Sequence, residues 1–298
     1  MSDLAVVALN ALTLISILAL VALGLAIIFG LMDVINLAHG ELVTIGAYTV
    51  SLAQALASAH DATAFWIGLC FAPVLGALIG LAIEVLIVQR LYLRPLDTLL
   101  ATFGLSLALQ KLIELGFGAR PQIVHTPIAG VLPILGADYP AYRLFIIVAA
   151  AVLIVMSMVV FTRTRLGLDL RAMLQDRTMA EALGIDTKRV GRIAFCAGSA
   201  LAATAGALVA PLASVEAHLG SFYIGKAFFV VIVGGIGSLI GPVVGSTLMG
   251  GVETLLSYRI DPSAASALSL CLAIVIIRMR PQGLVPGFSA AHEMTGRR

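Results

Sequence analysis

Residues 163–192 read RTRLGLDLRAMLQDRTMAEALGIDTKRVGR, the one long polar run in an otherwise apolar chain. The run holds seven of the eighteen Lys and Arg residues, namely Arg163, Arg165, Arg171, Arg177, Lys188, Arg189 and Arg192. Asp169, Asp176, Glu181 and Asp186 are interspersed. Apolar stretches flank it, Leu144–Phe161 before and Ile193–Leu212 after. It therefore reads as an element slung between two membrane spans. Lys and Arg gather in cytoplasmic loops, which places it in the cytosol. Leu168, Leu170, Met173 and Leu174 form a short apolar stripe near helical period. Thr178-x-x-Glu181 fits a capping box, Gly184 is placed to end that helix, and Asp186 suits the start of the next. The run reads as two short helices across the cytosolic face, more punctuated than a loop that only sets orientation.

The composition agrees. Of 298 residues, 60% are hydrophobic and 11% charged, with mean hydropathy +1.08. Soluble domains run at about 45–50% apolar and about 25% charged. A soluble protein of this size could not hide so much apolar surface. The expectation is an all-α polytopic membrane protein: about eight transmembrane helices, broken or re-entrant segments, and short cytosolic coupling helices. Residues 1–298 read as a single membrane-spanning domain. Cys70, Cys196 and Cys271 sit in apolar runs without metal-ligand spacing and read as packing residues. MSDLAVV at the start has no basic region and does not read as a cleavable signal peptide. There is no G-x-x-x-x-G-K-[ST] loop for ATP. No metal, cofactor or nucleic-acid motif is present.

Taken in order, apolar runs cover Leu4–Leu31, Leu42–Ala59, Phe65–Val88, Leu99–Phe117, Leu144–Phe161, Ile193–Leu212, Ile224–Leu256 and Ala264–Ile277. His60-Asp61 marks a turn, Glu84 is expected to snorkel, and Lys111 and Glu114 can pair at i,i+3. The 119–142 stretch reads as a loop with four prolines. Gly76-x-x-x-Gly80, and Gly198, Ala202, Gly206 and Ala210 at intervals of four, predict close helix contacts. With 163–192 inside, Arg90 and Arg94 fall inside and the N-terminus outside. If 224–256 crossed once, Arg278, Arg280, Arg297 and Arg298 would land outside. If it enters, breaks at its glycines and returns, they land inside, as the charge rule prefers.

Three constellations stand out. In the first, Asn36, His39, Gly40 and Glu41, with Thr44 a turn later, interrupt an apolar stretch. Such groups are costly in a bilayer and face a cavity or another helix; a solvated loop at the surface is the plainer alternative. His39 and Glu41 are two apart and point to different helix faces, which argues against a metal site. In the second, Gly234, Gly235, Gly237 and Ser238, then Gly241 and Gly245, mark a break or a tight contact. Interrupted segments in the two halves of a transporter point to its path. The third is the opening run, as a docking surface.

Together these segments resemble a known family. Ile35-Asn36-Leu37-Ala38-His39-Gly40-Glu41, then Arg171-Ala172, Met179-Ala180 and Leu183-Gly184-Ile185, then Gly234–Ser238 with Gly241, then Arg280-Pro281-Gln282-Gly283-Leu284 come in matching order. They are similar to the LivH-type permease subunits of branched-chain (hydrophobic) amino acid ABC transporters, over about residues 4 to 287. The resemblance implies a multi-pass inner-membrane importer subunit with its coupling loop and C-terminus cytoplasmic. It implies a second, related permease subunit, two cytosolic ATP-binding subunits and a periplasmic solute-binding protein as partners, and no enzymatic activity of its own. It marks Arg171, Ala172, Met179, Ala180, Glu181, Leu183, Gly184 and Ile185 as the ATPase-coupling segment. One departure stands: Glu181-Ala182-Leu183-Gly184 puts Gly three residues after Glu, where general ABC importers place it six after.

Two other classes compete. An ion-coupled secondary transporter would need an ionisable residue deep in the bilayer, for which Glu41, Glu84, Lys111, Glu114 and Glu253 are candidates. An intramembrane enzyme would pair His39, His60, His125 or His218 with a carboxylate, and none has useful spacing. Members of the resembled family for urea, amides or aromatic acids are the nearer alternative.

Overall fold

The computed structural model describes residues 2–32, 36–57, 62–91, 94–134 and 137–285. The expected His60-Asp61 turn and the tail arginines Arg297 and Arg298 lie outside the described residues. The regular structure among the described residues is helical apart from one hairpin and one isolated bridge, Gln122 with Val215. The helices are α1 (Ser2–Met32), α2 (His39–Leu56), α3 (Ala62–Leu91), α4 (Pro95–Phe117), α5 (Ala141–Arg163), α6 (Arg165–Gln175), α7 (Arg177–Ala182), α8 (Thr187–Val209), α9 (Leu219–Gly234), α10 (Gly241–Ser257) and α11 (Pro262–Met279). Six of them, α1, α3, α4, α5, α8 and α11, are long and apolar enough to cross a membrane. At 1.5 Å per residue, the 23 residues of α4 or α8 extend about 35 Å, which exceeds a hydrocarbon core of about 30 Å.

The bundle has two ends. One carries an antiparallel hairpin, β1 (Val131–Ile134) with β2 (Ala137–Pro140), inside the stretch read as loop. Tyr139 of that hairpin lies 3.0 Å from Thr13 Oγ1, and Arg143 donates to Asn10 Oδ1, so α1 starts at the hairpin end. Gln54 grips the backbone of His125 with both its donor and its acceptor, at 2.9 Å each, so α2 finishes at the same end. The other end carries α6 and α7. A Cβ on Gly30, near the end of α1, would stand 3.3 Å from Leu174 of α6. Here Glu84 and Gln89 of α3 meet Arg192 at the start of α8.

The core is made by α1 and α8. Leu18, Leu20, Val21, Ala22 and Leu23 of α1 and Ala202, Ala203, Ala205 and Ala207 of α8 are fully or almost fully buried. Small residues allow this. A Cβ on Gly198 would lie 2.5 Å from the Gly24 carbonyl, and one on Gly206 would overlap the Val43 carbonyl outright. Gly76 and Gly80 of α3 face Ala203 and Ser199 equally closely. The two small-residue stripes thus sit at backbone-to-backbone contacts of α8 with α1, α2 and α3, where packing rather than lipid exclusion drives association. Around this core, α4, α5 and α11 turn apolar faces outward, including Leu100, Phe103 and Leu107 of α4.

Glu84 departs from its expectation. It does not snorkel: it is fully buried in a π-turn (Glu84–Val88) of α3, 3.5 Å from Arg192. A charge-compensating partner reaches it from α8, so it has no need to climb to the interface.

Candidate functional site

The start of α2 stands inside the bundle. His39 Nε2 lies 3.4 Å from the Val21 carbonyl of α1. Leu37 N donates to Thr102 Oγ1 of α4 at 3.3 Å. One turn later Glu41, 1% exposed, accepts from Ser106 Oγ at 2.9 Å and from Gln110 Nε2 at 2.7 Å. Ser106 is the middle residue of α4, about 17 Å from either helix end. Glu41 therefore lies near the mid-plane of the span. Gln110 extends the network to Ser221 Oγ at 3.1 Å and to His218 Nδ1 at 3.1 Å. Three elements are tied together at the depth where stray polar groups are most costly.

The remaining residues of this segment arrange the helix start. Asn36 Oδ1 accepts from Ala38 N at 3.0 Å, an Asx-type turn that leads into α2. Thr44 Oγ1 accepts from Gly220 N at 2.9 Å, satisfying one of the open donors at the start of α9. Gly40 makes that approach possible, since a Cβ there would stand 2.8 Å from the Gly220 carbonyl. Asn36 Nδ2 and His39 Nδ1 are buried without a hydrogen-bond partner among the described residues. Unmade bonds of this kind cost about 1–3 kcal/mol each. His39 faces α1 and Glu41 faces α4, on different sides of the helix.

The glycine segment forms the junction of α9 and α10. Gly234 and Gly241 face one another so closely that a Cβ on Gly234 would run into the Gly241 carbonyl. Gly235 takes φ +113° against the Val285 carbonyl, a conformation and a space that only glycine fits. Ser238 Oγ accepts from Gly241 N at 3.1 Å and so satisfies one of the open donors at the start of α10. Gly237 borders Gly30. The tail closes the junction: Leu284 N donates to the Val233 carbonyl at 2.8 Å and Val285 N to that of Gly234 at 2.9 Å. The break lies at the α6–α7 end of the bundle. Its glycines pack on Gly30 and Val285 while Glu41 bonds to Ser106 and Gln110, so the two interrupted segments do not share one cluster.

At that end, α6 is capped by Thr164, whose Oγ1 accepts from Gly167 N at 3.2 Å. Asp176, not Thr178, caps α7, accepting from Met179 N at 3.0 Å. Glu181 is not the return arm of a capping box. It accepts from Thr187 Oγ1 at 2.6 Å and from Arg177 Nε at 3.3 Å. The Thr187 hydroxyl and then the Arg177 guanidinium hold its carboxyl below the usual carboxylate range. Gly184 ends α7 as anticipated, at φ +86°, with Ile185 N bonded to the Ala180 carbonyl and Gly184 N to that of Glu181. That is the Schellman pattern. Asp186 caps α8 through Arg189 N at 3.0 Å. Ala180 is buried, Ala172 and Ile185 pack against the core, and Arg171 folds back onto the Gly167 carbonyl. Met179 and Leu183 stay 58% and 74% exposed.

Sequence reasoning missed the partners of Glu41. Thr98, Thr102, Ser106 and Gln110 recur every four residues of α4 and are its buried side chains along with Ile113; that spacing was the available signal. It also missed Lys226, which meets Glu253 at 2.6 Å between α9 and α10. Lys111 and Glu114 pair at 2.5 Å on the outside of α4. No group of His, Cys, Asp and Glu suited to a metal occurs among the described residues.

Comparison with known proteins places this arrangement. Residues 7–278 match the family described as "Branched-chain amino acid transport system / permease component". The chain is 30% identical to the high-affinity branched-chain amino acid transport system permease protein LivH of Salmonella typhimurium, over 93% of both chains. It is 28% identical to BraD of Pseudomonas aeruginosa, of the same description, over 93% of this chain and 94% of that one. LivM of Escherichia coli, also such a permease protein, is 27% identical over 92% of this chain and 69% of its own. No solved structure is a significant match.

Proposed function

The chain belongs to the family of branched-chain amino acid transport permease components, and from that premise we propose that it carries branched-chain amino acids across the inner membrane as one permease subunit of an ATP-binding-cassette importer. It is a multi-pass transport subunit and not itself an enzyme. The likeness to both LivH and LivM suits a transporter in which two related permeases pair. ATP hydrolysis is assigned to separate cytosolic subunits and substrate delivery to a solute-binding protein outside. The α6–α7 end is then cytosolic and the hairpin end periplasmic.

One observation carries the coupling part of this reading. The α6–α7 element is braced from behind by Leu170, Met173 and Ala180, all buried, while Met179 and Leu183 project from the membrane domain. Caps at Thr164, Asp176 and Gly184 hold its shape. A rigid element with an exposed apolar tip suits a cleft on an ATPase subunit. Closure of the ATPases would move it, and with it the α1 end and the glycine junction that Leu174 and Gly237 share with Gly30. Alternating access would follow from rocking of these packed helices.

The test is a Leu183→Asp substitution, alone and with Met179→Asp. Neither side chain is packed, so the chain still inserts. Co-purification of the ATPase subunits and ATP-driven leucine uptake are expected to fall more than tenfold. Unchanged association and uptake would remove the docking role. A panel of leucine, valine, urea, acetamide and phenylacetate in the same assay separates the branched-chain substrate from the alternatives.

A further inference from the structure

A cavity of about 370 Å³ opens at the hairpin end of the bundle, lined by Leu14, Ser214, Glu216, Leu219, Phe222, Tyr223 and Lys226 among others. Its position is fixed by two contacts. Leu14 follows Thr13, which touches Tyr139 of the hairpin. Val215 pairs through its backbone with Gln122, at 2.8 and 2.9 Å. The cavity falls within the range of small-molecule sites, about 300–1,000 Å³. One part of its wall is aliphatic and aromatic. Another part is charged: Glu216 on the α8–α9 connection, and Lys226, about two turns along α9 from Leu219.

Lys226 also holds Glu253 of α10 at 2.6 Å, with the two side chains 25% and 11% exposed. An ion pair taken out of water is commonly no more stabilising than apolar residues of the same volume. Ionisable residues inside a membrane domain mark substrate pathways. Here the ammonium borders the cavity, while its carboxylate partner stands on the next helix and is not among the lining residues.

We propose that this cavity is where the permease receives the zwitterionic end of its amino acid, an assignment that rests on the branched-chain transport reading above. The substrate carboxylate takes the Lys226 ammonium in competition with Glu253. Glu216 takes the substrate ammonium. Leu14, Leu219 and Phe222 receive the aliphatic side chain. Because Lys226 and Glu253 clasp the two limbs that meet at Gly234 and Gly241, an arriving carboxylate also loosens α9 from α10 above that junction. The chemistry recognised is an α-amino acid with an apolar side chain; an amide or urea offers no carboxylate to compete with Glu253.

The test uses the complete transporter in proteoliposomes, with leucine uptake driven by the loaded binding protein. Two double variants separate recognition from structure. K226Q/E253Q keeps a neutral hydrogen-bonded pair, and K226E/E253K keeps the ion pair but moves the ammonium to α10. Both are expected to assemble with their partners and to lose more than tenfold in uptake. Wild-type uptake by either one would show that the pair is structural and overturn the proposal. Ser214→Phe, at an exposed lining position, is independent of the pair and is expected to raise KM for leucine several-fold, with binding-protein docking unchanged. An unchanged KM overturns the proposal even if the double variants fail to assemble. A wild-type complex that moves no branched-chain amino acid sinks the transport reading itself. A wild-type complex that moves leucine, with variants that match it, sinks the cavity assignment alone.

Discussion

Gln110→Leu is the sharpest probe of what holds α4 in place. Gln110 Nε2 lies 2.7 Å from Glu41 Oε1 and 3.1 Å from Ser221 Oγ, and Oε1 lies 3.1 Å from His218 Nδ1. Leucine has a similar volume and makes none of these contacts. Polar contacts between membrane helices average about 0.6 kcal/mol, with a maximum of about 1.7. Three of them at the average amount to about 2 kcal/mol, or about 30-fold in a two-state equilibrium. The loss falls on a helix with little else to hold it, since the other buried side chains of α4 are Thr98, Thr102, Ser106 and Ile113. The assay is thiol labelling of an Ile113→Cys variant, on the same buried face but outside the network, after Cys70, Cys196 and Cys271 are replaced. A membrane-permeant maleimide is expected to react about 30-fold faster in the Gln110→Leu background. A companion Ala205→Cys substitution, at a fully buried position of α8, should label at an unchanged rate. Equal labelling at position 113 with and without Gln110 would refute the idea that the polar stripe holds α4.

Gly206→Leu forces a side chain into the Val43 carbonyl and is expected to abolish accumulation of the protein in membranes, while Gly225→Ala, with open space around it, leaves accumulation unchanged on a quantitative blot. Gly184→Val puts a β-branched residue at φ +86° and should cost about 1–2 kcal/mol in the α7 end, weakening ATPase co-purification several-fold; Gly184→Asn, which tolerates that conformation, should stay near wild type. Glu181 has a depressed pKa, so its contribution to the α7–α8 junction is fully present above the ordinary Glu range and is lost only as pH falls through the lowered value. Hydrogen exchange at residues 177–187 is therefore expected to be flat from about pH 7 to 5 after correction for intrinsic rates and to rise at lower pH, and Glu181→Gln should reduce that rise, leaving the part due to the Asp176 and Asp186 caps.

What could be read from the chain alone was whatever depends on near neighbours. Gly184 and Asp186 act through backbone groups within five residues, and both do what their types suggest. Thr178 and Glu181 misled at the same range, because Asp176 offers a charged acceptor two residues earlier and Thr187 captures the Glu181 carboxylate from the next helix. The small-residue stripe on α8 announced close contacts but not their partners: Gly198 meets Gly24 and Gly206 meets Val43, pairings that exist only once the bundle is assembled. Glu84 and Lys226 fail for the same reason. Each looks like a stray charge at the edge of an apolar run until Arg192 or Glu253 arrives from a distant helix.

The span of α4 was legible as Leu99–Phe117, but its polar buried face was hidden by a different effect. Hydropathy averages all faces of a helix, and in water the averaging does little harm because the apolar face is the one that packs. In a membrane the lipid side can be the more apolar one. On α4, Leu100, Phe103, Leu107 and Leu112 are exposed while Thr98, Thr102, Ser106 and Gln110 are buried, so the pattern is inverted relative to a soluble helix. Between Ile17 and Phe29 of α1 both faces are apolar and buried. Both helices are long and apolar enough to span a membrane, α1 much the more apolar, and they are held by opposite means. The contacts of α1 with α8 depend on backbones touching at Gly24 and Gly198, and any separation forfeits them. The contacts of α4 depend on directional bonds from short polar side chains to Glu41 and Leu37, and such bonds can pass to other partners at small cost. Of the helices around Glu41, α4 is the one whose attachment can change while the core stays whole.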